Sequence, residues 1–236
     1  NEIEVMWDNN PGPGSVTVNY ENIYGCDAAT ATELEVTKEG PVQNTSTGTY
    51  YCSIQDAIDG ANPAGGDVIK VSAGTFKEAI TIDKSLTLWG NGRDDNASAT
   101  RLDCRGGHDD LGRQSMMVVS QGTSDVTIKG FRFEGDNIQQ YTSYSDDESA
   151  IYAGSSSGSM VSNLSITDNT FVNSDRAIYF GGNIEQSSIS DNNFTGIQDW
   201  WVIAINGWNS TAVYDGIIVS GKEMSNCTSI PSVCMN

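Results

Sequence analysis

The chain has 236 residues, of which 31 are acidic and 12 are basic, so its formal charge is −19 at neutral pH. Such an excess of negative charge disfavours nucleic acids and anionic membranes as partners, because both would be repelled. No apolar run is long enough to span a membrane, and no signal-peptide pattern opens the sequence, so an exported chain would be a processed form.

The first 50 residues lie outside the repeat that follows and are predicted to form a strand-containing N-terminal extension. Residues 2–7 (EIEVMW) and 15–20 (SVTVNY) alternate like strands around the Pro- and Gly-rich residues 9–14, which predicts a hairpin or an edge extension. Residues 40–48 are polar and are predicted to form a loop.

A helix and three strands are predicted within residues 51–92. Ser53 and Asp56 have the spacing of a capping box, and apolar residues then recur at helical spacing, which predicts a capping helix over residues 53–61. Strands are then predicted at residues 67–71, 78–82 and 86–89, with turns at 73–74 and 83–85. Connections this short cannot join neighbouring strands of one parallel sheet, so the strands are predicted to form successive sides of a coil.

The same stretch resembles the opening of right-handed parallel β-helix proteins of the pectin-lyase-like superfamily. Four segments carry the similarity: SIQDAI (53–58), GDVIKV (66–71), GTFKE (74–78) and KSLTLWGNG (84–92). The resemblance implies an all-β, right-handed parallel β-helix (solenoid) with a short N-terminal capping helix. Surface proteins, lyases, hydrolases, esterases and tail spikes share this opening, so the resemblance implies a fold rather than a chemistry.

An internal repeat follows, in which an aliphatic residue precedes a large apolar residue by five positions. Its copies are Ile128/Phe133, Ile166/Phe171, Ile189/Phe194 and Val219/Met224, and a second inward row is Ile151, Ile178 and Ile203, followed two residues later by Ala153, Phe180 and Ile205. Asp168-Asn169 and Asp191-Asn192 take the same place in successive copies, which predicts a two-rung asparagine ladder at a bend. The spacing predicts about five coils over residues 51–226, followed by a C-terminal tail at 227–236.

No complete catalytic motif of the enzymes that share this opening is found in the sequence. For a lyase-like reaction the candidate bases are Arg132, Arg176 and Lys222, with solvated surface charges as the alternative. For a hydrolase-like reaction the candidate carboxylates are Asp168 and Asp191, with stacked turn residues as the alternative.

The sequence leaves the question of a metal site open. His108 is the only histidine, which excludes a site built from several histidines. Asp109-Asp110 and residues 146–148 carry carboxylates that suit calcium, although neither has EF-hand spacing, so calcium stays a candidate ligand.

Four aromatic residues are candidates for glycan contact, namely Tyr152, Tyr179, Trp200 and Trp208. The two tyrosines are expected to stack outward on adjacent coils, and the tryptophans make the last coil strongly aromatic. Aromatic faces bind sugar rings, and covering the end of the core is the alternative interpretation.

Cysteines and sequons favour an oxidising, extracellular or cell-surface setting. Candidate glycan-attachment sites are Asn44, Asn96, Asn163, Asn193, Asn209 and Asn226, and candidate disulfide residues are Cys26, Cys52, Cys227 and Cys234. Cys227 and Cys234 are close enough in sequence to bridge the tail, Cys26 and Cys52 flank the N-terminal segment, and Cys104 is left over. The alternative is that all five cysteines are small buried apolar residues.

The ends of a parallel β-helix expose unpaired backbone groups unless another element covers them. The helix is predicted to cover the N-terminal end, whereas the polar tail has no amphipathic stripe that would cover the other. Subunits are therefore expected to associate end to end or through the N-terminal extension, with a monomer as the alternative.

Two classes of function follow from the sequence. A secreted, non-catalytic module of a cell-surface, filament, sheath or adhesin assembly is favoured, because no enzyme motif is complete. The alternative is a carbohydrate-active enzyme, either a polysaccharide lyase or a glycoside hydrolase, with a polysaccharide as its partner.

Overall fold

The computed structural model describes residues 12–18, 32–103, 115–135, 149–154, 158–174, 176–197, 202–205, 213–221, 223–225 and 233–235. These ranges contain 25 short strands and one helix, in agreement with the expected all-β class. In chain order the elements are β1 (Gly12–Val18), β2 (Thr32–Lys38), β3 (Val42–Asn44), β4 (Thr49–Tyr51), α1 (Ile54–Asp59), β5 (Asp67–Val71), β6 (Gly74–Phe76), β7 (Ile80–Ile82), β8 (Leu86–Gly90), β9 (Thr100–Asp103), β10 (Met117–Val119), β11 (Val126–Lys129), β12 (Phe131–Glu134), β13 (Ser149–Ala153), β14 (Val161–Ser162), β15 (Ser165–Thr167), β16 (Thr170–Val172), β17 (Arg176–Phe180), β18 (Ile184–Glu185), β19 (Ser188–Ser190), β20 (Asn193–Thr195), β21 (Ile203–Ile205), β22 (Tyr214–Asp215), β23 (Ile218–Ser220), β24 (Glu223–Ser225) and β25 (Val233–Met235). No helix in this part of the chain is long and apolar enough to cross a membrane.

Four sheets hold every strand from β3 onward. Sheet 1 has the order β23-β19-β15-β11-β8-β5-β3-β4, sheet 2 the order β24-β20-β16-β12-β9-β6, sheet 3 the order β25-β21-β17-β13-β10-β7, and sheet 4 the order β14-β18-β22. From β5 onward, all the strand pairs in these sheets are parallel.

The chain visits the sheets in a fixed cyclic order. From β5 it places one strand in sheet 1, one in sheet 2 and one in sheet 3, and from β14 onward it adds a strand in sheet 4 before it returns to sheet 1. We call each such passage a round. Sheets 2 and 3 each have six strands, so the described residues contain six rounds rather than the expected five or so.

Two stretches that were expected to lie outside strands account for this difference. Residues 73–74 were predicted to form a turn, but Gly74 begins β6, which pairs with β9. Residues 227–236 were predicted to be a tail, but they contain β25, which pairs in parallel with β21 and extends sheet 3. The prediction of the tail was wrong because Val233, Cys234 and Met235 form an apolar run that is just long enough to add one more strand.

The N-terminal extension also differs from its prediction. β1 pairs antiparallel with β2 over seven residues, so residues 12–14, which were expected in a turn, lie in a strand. The partner of β1 is therefore β2, which lies later in the chain, and not residues 2–7. Residues 2–7 lie outside the described part. Residues 40–48 were expected to form a loop, yet β3 and β4 make an antiparallel hairpin there whose strand β3 pairs with β5. The expected domain boundary at residue 50 therefore falls inside a hairpin of sheet 1.

The helix α1 covers the first round, as predicted. Ser53 is its N-cap and accepts a hydrogen bond from the Asp56 backbone nitrogen at 3.0 Å. Ile54, Ala57 and Ile58 are buried, and the helix contacts β3, β4, β5 and β7.

Two charged side chains, one just before β7 and one just after it, bind the two ends of this helix. The Glu78 carboxylate accepts hydrogen bonds from the backbone nitrogens of Ile54 (2.9 Å) and Gln55 (3.1 Å), where the helix dipole favours negative charge. At the other end, the Lys84 ammonium donates to the carbonyl oxygens of Ile58 and Asp59. The predicted strand 78–82 therefore begins only at Ile80, because Glu78 binds the helix instead of continuing the ladder.

The predicted inward rows are confirmed by the strand registers. Ile128, Ile166, Ile189 and Val219 are aligned on adjacent strands of sheet 1, and Phe133, Phe171, Phe194 and Met224 are aligned in sheet 2. The rings of Phe133 and Phe171 stack at 4.8 Å, and those of Phe171 and Phe194 at 5.2 Å. In sheet 3, Ile151, Ile178 and Ile203 are aligned in the same way.

The predicted asparagine ladder is present and buried. The backbone nitrogen of Asn169 donates to Asn192 Oδ1 at 2.9 Å, and Asn192 Nδ2 donates to the Ile166 carbonyl at 2.8 Å. Asn169 Oδ1 in turn accepts from the backbone nitrogen of Phe131 at 3.0 Å, so the ladder links three successive rounds. These bonds satisfy the backbone at the bend between sheets 1 and 2, where water has no access.

Candidate functional site

A cleft in the described part of the chain lies on the outer side of sheet 2. Phe76, Leu102 and Phe133 point into the core, so the residues just before them, Thr75, Arg101 and Arg132, point outward. The strand registers align Thr75 with Arg101 and Arg101 with Arg132. Neighbouring strands thus bring together two arginines that are 31 residues apart in the sequence.

Carboxylates bind both of these arginines. Arg132 Nε donates to Glu134 Oε1 at 2.5 Å, and Arg101 Nε lies 3.5 Å from the same oxygen. Arg101 Nη2 donates to Asp95 Oδ1 at 2.9 Å, and Arg132 Nη2 is 3.6 Å from Asp95 Oδ2. The side chains of Arg132 and Glu134 are only 13% and 9% exposed, so water screens their attraction weakly.

This cluster forms the floor of an open cleft of about 410 Å³. Its lining residues are Thr75, Asp95, Arg101, Arg132, Glu134, Gly135, Val172 and Asn173. Asp103 is aligned with Glu134 on the neighbouring strand, and both residues are 7% exposed. At Gly135 a β-carbon would overlap the Asn173 carbonyl oxygen, so this position at the edge of the cleft requires glycine.

The lyase-type candidates have three different outcomes. Arg132 lies in the cleft, but it is neither a solvated surface charge nor an isolated base, because it is held by Glu134 and Asp95. The Arg176 guanidinium lies over the Tyr179 ring, 4.8 Å from its centroid. Lys222 lies outside the described residues. Arg101 was missed by the sequence analysis, although its position directly before the inward Leu102 matches that of Arg132 before Phe133.

Asp168 and Asp191, the hydrolase-type candidates, are turn residues in the structure. Both have left-handed backbone conformations, with φ of 56° and 55°, and both are exposed. Arg93 Nε lies 3.1 Å from Asp168 Oδ1, and Arg93 Nη1 donates to the Asp191 carbonyl oxygen. The alternative interpretation, stacked turn residues, therefore describes them, and Arg93 is a further residue that sequence reasoning missed.

The candidate metal ligands belong to two acidic segments and one histidine of the sequence. His108, Asp109-Asp110 and residues 146–148 all lie outside the described residues. Within the described ranges, no three or more histidine, cysteine, aspartate or glutamate residues are grouped as a metal ion would need.

The predicted aromatic platform is only partly present. The rings of Tyr152 and Tyr179 are neighbours at 5.5 Å, but Tyr179 is only 3% exposed, because Arg176 and Tyr152 cover it. The expectation that Tyr179 offers an outward face for a sugar is therefore wrong. Burial, with a smaller contribution from Tyr152, raises the pKa of Tyr214 to about 12, and its hydroxyl lies 3.5 Å from the Phe180 carbonyl oxygen. Trp200 and Trp208 lie outside the described residues.

The candidate modification sites also separate into different groups. Asn44 is fully buried and its Nδ2 donates to Asp67 Oδ2 at 2.6 Å, which leaves no room for a glycan in this fold. Asn96 and Asn163 are exposed and Asn193 is half-buried, whereas Asn209 and Asn226 lie outside the described residues.

The disulfide predictions involve residues that are mostly outside the described part. Cys52 is exposed, Cys234 is described only by its backbone in β25, and Cys26, Cys104 and Cys227 lie outside the described ranges. The two candidate bridges therefore stay predictions.

Comparison with known proteins identifies no relative. No protein-family model matches the sequence, no curated protein matches it, and no solved structure matches it. The likeness to the pectin-lyase-like superfamily therefore stays a prediction from the four sequence segments that carry it.

Proposed function

We propose that this chain is a right-handed parallel β-helix of the pectin-lyase-like type that acts as a secreted, non-catalytic module of a cell-surface, filament, sheath or adhesin assembly. The cyclic order of the sheets supports the β-helix, because a chain that returns to the same sheet one strand further on each time describes a coil. The two-residue connection between β5 and β6 is too short for any crossover within one parallel sheet.

The observation that carries the non-catalytic part of the proposal is the mutual pairing of charges in the cleft. A general base must reach a proton of the substrate, and an arginine that neutralises a substrate must have donors to offer it. In this cleft, Arg101 and Arg132 direct donors toward Glu134 and Asp95. Such a network ties the neighbouring strands β9 and β12 to the turn that holds Asp95, as a scaffold needs.

Self-association belongs to the same proposal. β1 and β2 pair with each other as a two-stranded ribbon, and among the described strands each has a second edge that can accept a strand from another chain. At the far end of the stack, β23, β24 and β25 stand at the edges of sheets 1, 2 and 3. A ribbon of one copy that adds to such an edge of the next would produce a fibre, because the contact is heterologous.

A carbohydrate-active enzyme is the second candidate, and one feature of the cleft favours it. Glu134 and Asp103 are aligned on adjacent strands, whose backbones lie about 4.8 Å apart, and retaining glycosidases use two carboxyl groups about 5 Å apart. The short contact of Glu134 with Arg132 weighs against this role, since the same oxygen would have to act on the substrate.

The test is an activity screen on pectin, alginate and neutral glycans, with and without calcium, together with light scattering and electron microscopy of the same preparation. The proposal expects no unsaturated or reducing-end product and expects oligomers or fibres. Glu185, a half-buried glutamate of sheet 4, provides the control. Product that disappears in Glu134→Gln but persists in Glu185→Gln would show that the chain is an enzyme and would refute the non-catalytic proposal. A monodisperse monomer at high concentration would refute the assembly.

A further inference from the structure

The outer face of sheet 1 carries two parallel rows of side chains that run along the stack. The first row is Val68, Thr87, Thr127, Ser165, Ser188 and Ile218, and the second row is Lys70, Trp89, Lys129, Thr167, Ser190 and Ser220. We call these twelve positions the outer rows. They contain two lysines and no carboxylate, although acidic residues outnumber basic ones by 31 to 12 in the whole chain.

Trp89 stands between the two lysines. It belongs to β8, whose neighbours β5 and β11 place Lys70 and Lys129 on opposite sides of the indole. The Lys70 ammonium lies 4.7 Å from the ring centroid and the Lys129 ammonium lies 4.2 Å from it, so both make cation–π contacts. The indole is 41% exposed, and it therefore holds two positive charges in fixed positions at the surface.

The rest of the outer rows consists mainly of hydroxyl groups in regular order. Ser190 Oγ donates to Thr167 Oγ1 at 3.1 Å, and Ser188 Oγ donates to Ser165 Oγ at 3.4 Å. Hydroxyls that repeat every 4.8 Å or so along a flat sheet can each offer a further hydrogen bond to an elongated ligand that lies along the stack.

The charge of the chain is distributed unevenly around this face. Nine of the 12 basic residues but only ten of the 31 acidic ones fall between residues 67 and 134, the stretch that contains both lysines. Among the described residues, carboxylates lie in turns that flank the strands of this face: Asp125 binds Asn163 and Ser124, and Asp168 is paired with Arg93. The strip between them carries two positive charges and no negative one, so it attracts a negative ligand locally although the chain as a whole is acidic.

We propose that the outer rows of sheet 1 bind an acidic polysaccharide, with Lys70 and Lys129 contacting its carboxylate or sulfate groups and the serine and threonine hydroxyls contacting its sugar hydroxyls. A second copy of this acidic chain is the competing occupant. The stable centre of a protein interface is apolar and depleted of charge, whereas the centre of this face is one indole between two ammonium groups. The proposal needs only the described sheet, so it stands apart from the proposed non-catalytic function.

Binding is measured with the full chain by affinity electrophoresis in gels that contain polygalacturonate, dextran sulfate or neutral dextran. The wild type is expected to be retarded by the two acidic polymers and not by dextran, and the retardation is expected to weaken as salt rises above about 0.1 M. Lys70→Gln and Lys129→Gln are each expected to weaken binding about two- to fivefold, as for exposed ion pairs, and Trp89→Leu is expected to weaken it because both ammonium groups lose their support.

Lys77→Gln is the matched control, since Lys77 is exposed outside the outer rows and the variant changes the net charge equally. An equal loss in Lys77→Gln, equal binding of neutral dextran, or no retardation of the wild type would overturn the proposal. Light scattering gives a further outcome that would overturn the proposal. If the Lys70 and Lys129 variants abolish self-association while the wild type binds no polymer, the ligand of the outer rows is a second copy of the chain. Dextran sulfate contains no uronate. Retardation by this polymer therefore still measures binding if the activity screen finds that the chain degrades a uronate polymer.

Discussion

The two ends of the stack of rounds differ in how their edges are covered. At the first round, the hairpin β3–β4 pairs with β5, and α1 packs over β5 and β7. At the last round, β23 is the edge of sheet 1, and its Ile218 is 63% exposed. In the described residues, the first end is closed by local elements of the same chain, and the other ends in strands.

Closing a sheet edge needs specific contacts as well as a helix. Glu78 and Lys84 hold the two ends of α1, and Asp67 links the hairpin to the first round through Asn44 and accepts from the Asn62 backbone nitrogen at 2.9 Å. Edge strands without such cover recruit other strands, so growth of an assembly is expected at the last round.

The largest expected effect is the loss of packing under the first end. Ile58→Ala is expected to lower the free energy of unfolding by about 2–5 kcal/mol, because Ile58 is fully buried between α1 and the sheets. Ile218→Ala at the other end is expected to change it by less than about 0.5 kcal/mol, because this side chain is largely exposed. Urea unfolding followed by circular dichroism measures both, and equal losses would show that the two ends are closed alike.

Acid is expected to weaken the first end selectively. The hydrogen bonds that Asp67 accepts from the Asn62 backbone and the Asn44 side chain lower its pKa below the ordinary value of 3.8. Because the folded-state pKa is lowered, the stabilisation is complete above the ordinary value and is lost as the pH falls through the folded-state value. Asp67→Asn is expected to cost about 1–3 kcal/mol at neutral pH and to flatten the loss of stability below about pH 4.

Asp83→Asn is the control for this acid effect, since Asp83 is an exposed aspartate of the first round. Unfolding curves between pH 3 and 7 measure both variants. An unchanged acid slope in Asp67→Asn would show that other carboxylates cause the loss.

The open end is expected to control self-association. Ile218→Lys places a charge on the edge strand β23 and is expected to reduce oligomers, because charged side chains block edge-to-edge pairing. Removal of residues 1–38 is expected to have the same result, since it removes β1 and β2 together and leaves no unpaired half of the ribbon. Light scattering of both forms against Thr47→Lys, a substitution at the exposed tip of the covered hairpin, measures the effect. Equal scattering in all three would contradict the difference between the ends.

The smallest expected effect concerns glycosylation. When the chain is secreted from a host with the machinery, Asn163 and Asn96 are expected to carry glycans, because both are exposed, and Asn44 at the covered end is expected to carry none. Mass spectrometry of glycosidase-treated peptides measures occupancy at each site. A glycan on Asn44 would show that the hairpin β3–β4 does not pack on Asp67 as described.

The inward rows, the capping helix and the asparagine ladder could be predicted from the sequence alone. Phe133, Phe171 and Phe194 could be aligned from their spacing, because stacked strands place like residues above one another and so the core repeats in the sequence. Ser53 likewise marked the start of the helix, because capping depends on contacts within four residues.

The outward contacts and the cover of the two ends depend on the tertiary structure. Lys70, Trp89 and Lys129 are 19 and 40 residues apart, and no local pattern brings them together until their three strands lie side by side. The pairing of Arg132 with Asp95 depends in the same way on neighbouring rounds. The physical reason is that connections between strands vary in length, so outward neighbours follow from the register of the sheets rather than from spacing along the chain.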